Sequence, residues 1–134
     1  MNLLTKVSTL MTKELISVTE HTPVAVALGL LSKHNIHHLP VLSPERKLMG
    51  MLSHADFLKL PDRGAGMHTV NEIMTTHIAK LEPSDTIRTA ANLFTLNKFH
   101  ALPVLEGEEL VGILTTLDLI RLMDEEEIRL EDYV

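Results

Sequence analysis

The chain has 134 residues, of which 45% are apolar and 22% are charged, and its formal net charge at pH 7 is -6. This composition is typical of a folded globular protein, and the scattered Lys and Arg residues form no basic stripe of the kind that binds nucleic acid. Because the chain has no cysteine, disulfides, thiolate catalysis and cysteine-based zinc sites are excluded.

The opening segment, residues 1–11, contains one lysine and no long apolar run. Apolar runs elsewhere are also far shorter than the roughly 18 residues that a membrane-spanning helix needs. The sequence therefore predicts neither a signal peptide nor a membrane partner, and we expect a cytoplasmic protein.

The first half of the chain predicts a β-α-β-β-α order of elements. An extended segment near Ile16 to Val18 is followed by a helix that we expect to begin at Thr22-Pro23, with Thr22 as the cap and Pro23 in the first helical position. Apolar residues then recur at helical spacing, at Val24, Ala27, Leu28 and Leu31. Two short apolar segments around a polar turn predict a β-hairpin, and a second helix follows; the segments are His38 to Leu42, Leu48 to Leu52 and Ala55 to Leu60.

The second half repeats the first. Met11-Thr12 aligns with Met74-Thr75 at an offset of 63, and the offset falls to 62 after the polar turn of the first hairpin. In this copy Asp85 is the expected helix cap, the hairpin strands are Ala101 to Leu105 and Leu110 to Leu114, and the second helix lies near Leu117 to Leu122. The predicted boundaries are repeat 1 at 7–60, a linker at 61–69, repeat 2 at 70–122, and an acidic helix end or tail at 123–134.

The repeat predicts an α/β (α+β) fold. A unit of roughly 60 residues can bury only a marginal core by itself. We therefore expect the two β-α-β-β-α units to pack sheet to sheet as one body with pseudo-two-fold symmetry.

A local motif, Gly-apolar-apolar-Ser/Thr-x-x-Asp, closes each hairpin, as Gly50 to Asp56 and Gly112 to Asp118. Its structural interpretation is a capping box at a helix start, in which the hydroxyl and the acid satisfy backbone amides. Glu or Gln usually holds the last position of that box, because a longer side chain reaches back more easily. We therefore expect the shorter aspartate to leave its carboxylate partly free to face outward.

Taken together, these motifs resemble the CBS domain, a small module that occurs in pairs, and the resemblance runs from about Val7 to Leu122. The first copy matches it through Leu10-Met11-Thr12, Thr22-Pro23-Val24, Ile36 to Val41 and Gly50 to Asp56. The second copy repeats the pattern through Ile73-Met74-Thr75, Phe99 to Val104 and Gly112 to Asp118. The resemblance implies a regulatory module that binds an adenosine ligand, such as AMP, ADP, ATP or S-adenosylmethionine, in a cleft between the copies. No further cofactor is implied.

The resemblance also implies which residues form each cleft, because the aspartate of one copy faces the opening segment and the His-Leu-Pro-Val strand of the other. The first expected nucleotide site combines Thr115, Thr116 and Asp118 with Thr12, Leu15, Ile16, Ile36, His37 and His38. The second combines Ser53, His54 and Asp56 with Thr75, Ile78, Ala79, Phe99, His100 and Ala101. His38 occupies a position where relatives place a basic group near phosphate, whereas Ala101 replaces it in the second copy. We therefore expect the Asp118 cleft to be the tighter site and the Asp56 cleft to be weaker or empty.

Other functions have less support in the sequence. Three of the eight histidines, His34, His37 and His38, lie close together, but adjacent strand residues point to opposite faces, so we expect no metal site. We find no nucleophile with a base, no carboxylate pair and no phosphate loop, so we expect no catalytic residues. One alternative stays open: a ligand-free module that dimerises through the helices after each hairpin. In either case we expect a homodimer, and the regulated partner is unknown.

Overall fold

A computed structural model describes residues 1–61, 67–97 and 99–126. The first copy contains a short helix α1 (Val7–Leu10), strand β1 (Val18–Thr19), helix α2 (Val24–His34), strands β2 (His38–Leu42) and β3 (Leu48–Ser53), and a 3₁₀ helix (His54–Lys59). The second copy contains a 3₁₀ turn (Val70–Glu72), helix α3 (Ile87–Asn97), strands β4 (Ala101–Glu106) and β5 (Glu109–Thr115), and helix α4 (Thr116–Glu125). The β-α-β-β-α order predicted for the first copy is therefore present, although its last helix is a 3₁₀ helix.

The two hairpins have the same register, which confirms the repeat at the level of backbone pairing. Val41 pairs with Gly50 in the antiparallel β2–β3 ladder, and Val104 pairs with Gly112 in the β4–β5 ladder. Strand β1 runs parallel to β2, which gives a three-stranded sheet. In the second copy a single parallel bridge from Leu81 to Val104 replaces that strand.

The opening segment of each copy crosses to the hairpin of the other copy. Thr12 exchanges two backbone hydrogen bonds with Ile113, of 2.9 and 3.1 Å, and Thr75 exchanges two of 2.9 Å with Met51. Each crossing requires a glycine in the hairpin that it meets, because the crossing segment passes close to Gly50 in one copy and to Gly112 in the other. A Cβ atom on Gly50 would lie only 2.8 Å from the Thr75 carbonyl oxygen, and one on Gly112 would overlap the Met11 side chain.

The apolar cores follow this crossing. Val70 and Ile73 pack with the buried residues of the first copy, while Val7 packs with those of the second. A third cluster, formed by Met51, Ala101 and Ile113, lies where the two sheets meet. The core of each copy is therefore completed by residues from the opening segment of the other copy.

Both predicted helix caps are wrong. Helix α2 begins at Val24 with Pro23 in the cap position, because the Thr22 hydroxyl instead accepts a hydrogen bond from the Thr19 amide. Asp85 closes a turn by accepting from the Glu82 amide, and the hydroxyl of Thr86 accepts from the Thr89 amide at the start of α3. Residues 62–66 of the expected linker and 127–134 of the acidic tail lie outside the described residues.

Candidate functional site

A cleft of about 550 Å³ lies between the two copies, where the hairpins meet the crossing segments. All nine residues that the sequence analysis assigned to the first site line this cleft: Thr12, Leu15, Ile16, Ile36, His37, His38, Thr115, Thr116 and Asp118. They come from the opening segment and the start of β2 in one copy and from the start of α4 in the other. The expected mixture of the two copies is therefore present in one cavity.

Asp118 lies at the start of α4 and has one oxygen available to the cleft. Its Oδ2 accepts a hydrogen bond of 2.8 Å from the Thr115 amide, and its own amide donates to the Thr115 hydroxyl at 3.2 Å. This is a complete capping box, formed through Oδ2 although aspartate is shorter than the Glu or Gln that usually holds this position. Oδ1 has no hydrogen-bond partner within the described residues, and the side chain is only half-buried. Capping and ligand contact are thus compatible at this carboxylate.

Asp56 has the same motif but a different environment. It is 5% exposed, and Oδ2 accepts from the Ser53 amide at 2.8 Å. Oδ1 accepts from the Thr75 hydroxyl at 3.0 Å and from the Lys59 ammonium group at 2.7 Å. Both oxygens are therefore used within the protein. In this structure the carboxylate ties the first hairpin to the crossing segment, and the assignment of Asp56 as a nucleotide ligand stays a prediction.

The remaining residues that we expected in the second cleft do not lie together in one cavity. Ser53, His54 and His100 line the first cleft instead, because both hairpins open toward the same cavity. Five others are not among its lining residues: Thr75, Ile78, Ala79, Phe99 and Ala101. Ala101 is buried where the two sheets meet, with Ile78 packed against the same cluster.

Four imidazoles, those of His37, His38, His54 and His100, line the cleft. The rings of His37 and His54 lie 5.6 Å apart between centroids. The expectation that His37 and His38 point to opposite faces is wrong, because β2 begins at His38 and His37 lies in the preceding bend, where strand alternation does not apply. No group of three or more His, Asp or Glu side chains within the described ranges is arranged to hold a metal ion.

The environment of the cleft lowers the pKa of His38. Burial of its ring, followed by the neighbouring charges of His37, His100 and His54, lowers the pKa of His38 to about 4, against a smaller opposing effect of Asp56. The His38 ring is therefore neutral at pH 7.

Six further residues line the cleft that the sequence analysis did not assign: Glu14, Asn35, Ala55, Ile113, Leu117 and Arg121. Arg121 was the most accessible to prediction, because it lies one helical turn after Asp118 and so shares its face of α4. Asn35 ends α2 in a left-handed conformation with φ of 52°. Asparagine tolerates that conformation, but nothing in the sequence indicates that Asn35 lines a cleft.

Comparison with known proteins identifies the same two units. The CBS domain family model matches residues 7–63 and 70–125. The crystal structure of CBSX2 in complex with AMP has a TM-score of 0.79 at 30% identity and covers 90% of this chain and 97% of that one. The CBS domain pair of protein MJ0100, in complex with 5′-methylthioadenosine and S-adenosyl-L-methionine, has a TM-score of 0.81 at 28% identity and covers 89% and 99%.

Curated sequence relatives include much longer proteins. The homoserine O-acetyltransferase of Methanohalobium evestigatum is 28% identical over 122 residues, which make up 90% of this chain but only 24% of that enzyme. This chain thus spans about a quarter of the length of that relative. None of the helices in the part of the chain that the structure describes is both long and apolar enough to cross a bilayer.

Proposed function

Because this chain belongs to the CBS domain family, we propose that it is a regulatory module that binds an adenosine-containing ligand in the cleft between its two copies. The observation that supports this most is the single cavity that joins Asp118 and Thr115 of one copy to Ile16, Ile36 and His38 of the other. AMP in CBSX2, and the two adenosine derivatives in the MJ0100 pair, are ligands of the same class.

The cleft offers distinct groups for each part of such a ligand. Oδ1 of Asp118 would accept hydrogen bonds from the ribose hydroxyls, since a carboxylate accepts strong, charge-assisted bonds. The half-buried side chains of Leu15, Ile16 and Ile36 would pack against the faces of the adenine ring. Thr115 and Thr116, at the positive end of α4, lie where they would contact the sugar and its substituent.

We further propose one ligand per chain. Asp56 already bonds to Thr75, Lys59 and Ser53, so the first copy of the motif holds the protein together and the second copy, through Asp118, contacts the ligand. The ligand acts as a signal and is not consumed: the module is cytoplasmic and passes the signal to a regulated partner by a change in the relative tilt of its copies.

Calorimetric titration with AMP, ADP, ATP and S-adenosylmethionine tests this proposal. Replacing Asp118 by Ala removes hydrogen bonds to a charged group, which contribute roughly 1.5–3 kcal/mol, so we expect affinity for the preferred ligand to fall about 10- to 100-fold. Asp124→Ala is the matched control, because Asp124 is an exposed carboxylate on the same helix and does not line the cleft. Equal binding by both variants, or no binding of any of the four ligands to the native chain, would refute the proposal.

A second candidate function, a dimerisation module with no ligand, is favoured by one observation. Helix α4 exposes three large apolar side chains: Leu117 at 44%, Ile120 at 57% and Met123 at 58%. Such a row is suited to pairing with the same helix of a second chain, and a homodimer of this kind is compatible with ligand binding. Light scattering on the native chain and on Ile120→Glu tests it. A native dimer that the substitution converts to a monomer is the expected result, and a monomeric native chain would exclude this candidate.

A further inference from the structure

The charges in the cleft do not by themselves suit a phosphorylated ligand. When the four imidazoles are neutral, the charged residues of the lining are Glu14, Asp118 and Arg121, so negative charges exceed positive ones by one. A nucleotide phosphate carries close to two negative charges near neutral pH. Its entry would therefore place like charges together unless the cleft gained positive charge.

The imidazoles are the groups that can supply that charge. Histidine has an unperturbed pKa of about 6.5 and is the side chain whose charge changes most readily near neutral pH. The rings of His37 and His54 lie within contact distance of each other. The charges of His37, His100 and His54 act on His38 and lower its pKa. All four belong to one electrostatic cluster on the wall of the cavity.

Burial and the charges of the other three rings disfavour protonation of His38 in the unliganded structure. A first imidazolium makes the next less favourable, because like charges lie close together. Asp56 is the acidic group that opposes this effect at His38, but Lys59 forms an ion pair with that carboxylate at 2.7 Å. Across the cavity, Asp118 and Arg121 on α4 and Glu14 on the opening segment complete the set of charged groups that face the cluster. A bound phosphate would compensate the mutual repulsion of the rings.

We propose that the four-histidine cluster recognises a phosphate group on the adenosine ligand, and that such ligands bind with uptake of protons from solvent. This inference rests on the proposed function and adds to it a ligand class and a regulatory input. The module would respond jointly to nucleotide concentration and to acidity. An adenosine derivative without phosphate would bind through Asp118 and the apolar wall alone, with no proton uptake.

Titrations with AMP and with adenosine separate these two behaviours. AMP should be measured at pH 6.5, 7.5 and 8.5, each in two buffers of different ionisation enthalpy, so that proton uptake is read directly. If binding takes up one proton, the Kd rises about tenfold for each unit by which the pH is increased. We expect a rise of this order for AMP and a change of less than about twofold for adenosine. Loss of a proton from the phosphate itself would have the opposite sign, because a cationic site favours the dianion.

Variants of the cluster identify the groups that take up the proton. His54 and His100 are exposed, so the double variant His54→Gln/His100→Gln should fold, which thermal unfolding verifies. We expect it to lose at least half of the proton uptake that accompanies AMP binding. His21→Gln is the control, because His21 is exposed and is not part of the cleft lining. Imidazole proton NMR signals of the native chain, followed as AMP is added, give an independent reading of the same protonation.

The outcomes are distinguishable. If AMP and adenosine bind with equal affinity at every pH, or if the histidine variants leave proton uptake unchanged, this inference is wrong while the proposed function stands. If S-adenosylmethionine binds far more tightly than AMP at pH 6.5, the phosphate preference is likewise refuted. If no adenosine derivative binds, the proposed function falls and this inference falls with it.

Discussion

We expect acid to destabilise this protein partly through His38. The ring is neutral in the folded chain because burial and three neighbouring histidines lower the pKa of His38 to about 4, whereas in the unfolded chain it titrates at about 6.5. Between these two values the unfolded state binds more protons than the folded state. The free energy of unfolding therefore decreases as pH falls from about 6.5 to about 4, and above that range His38 has no effect on its pH dependence.

The size of this effect follows from the difference between the two pKa values. Each pH unit of difference corresponds to 1.36 kcal/mol, which sets a ceiling of about 3 kcal/mol for one imidazole. Because the side chain is only half-buried and water reaches part of the cleft, we expect about 1–2 kcal/mol. That is a substantial part of the ~5–15 kcal/mol that stabilises an ordinary small domain.

Urea unfolding at pH 7.5, 6.5, 5.5 and 4.5 measures this contribution. The native chain is compared with His38→Gln, which cannot be protonated, and with His21→Gln, which replaces an exposed histidine outside the cleft. We expect the native chain and the His21 variant to lose about 1–2 kcal/mol more than the His38 variant between pH 7.5 and 4.5. The pH dependence that all three chains share cancels in the difference. Parallel curves for the native chain and His38→Gln would refute the reasoning.

Two further predictions concern the contacts that join the copies. Asp56→Ala leaves the Thr75 hydroxyl and the Ser53 amide without their acceptor. We expect the free energy of unfolding, measured in urea, to fall by about 2–4 kcal/mol, with little change in ligand affinity at the cleft. An unchanged free energy of unfolding would argue against a structural role of Asp56. Gly50→Ala forces the crossing segment away from β3 and should lower the free energy of unfolding by about 1–3 kcal/mol. Gly29→Ala is the control, because a Cβ at this position in helix α2 would meet no atom within 4 Å; it should raise the free energy of unfolding by up to ~1 kcal/mol. Equal effects of the two alanines would contradict the proposed close approach.

The sequence predicted the hairpins well because their signals are local. Short apolar segments, turn residues and the repeated Gly50 and Gly112 positions all act over a few residues, and the two hairpins have the same register as each other. The helix caps were predicted less well. Thr22 and Asp85 have the residue types that cap helices, but each satisfies a nearby turn instead, and that competition depends on backbone angles that composition does not determine.

The difference between the two copies of the aspartate motif could not be predicted from residue types. Thr12 aligns with Thr75 and Asp118 with Asp56, yet only the Thr75 hydroxyl bonds to its aspartate. A cation also lies three residues after each aspartate, and Lys59 pairs with Asp56 whereas Arg121 forms no ion pair with Asp118 in the described structure. Asp56 lies at the start of a 3₁₀ helix, whereas Asp118 lies at the start of an α-helix. Identical patterns thus gave one structural carboxylate and one that remains open to a ligand.

The exchange of opening segments constrains how this molecule can move. Separating the halves would break the paired backbones at Thr12 and Thr75 and would strip Val7 and Val70 from the cores they complete. A hinge that swings fully open is therefore too costly, and neither half should persist as a folded fragment. If a ligand in the cleft shifts the two halves, as we propose, the shift is limited to a slight rotation of two interlocked bodies. Such a rotation favours a graded response over a switch between two very different conformations.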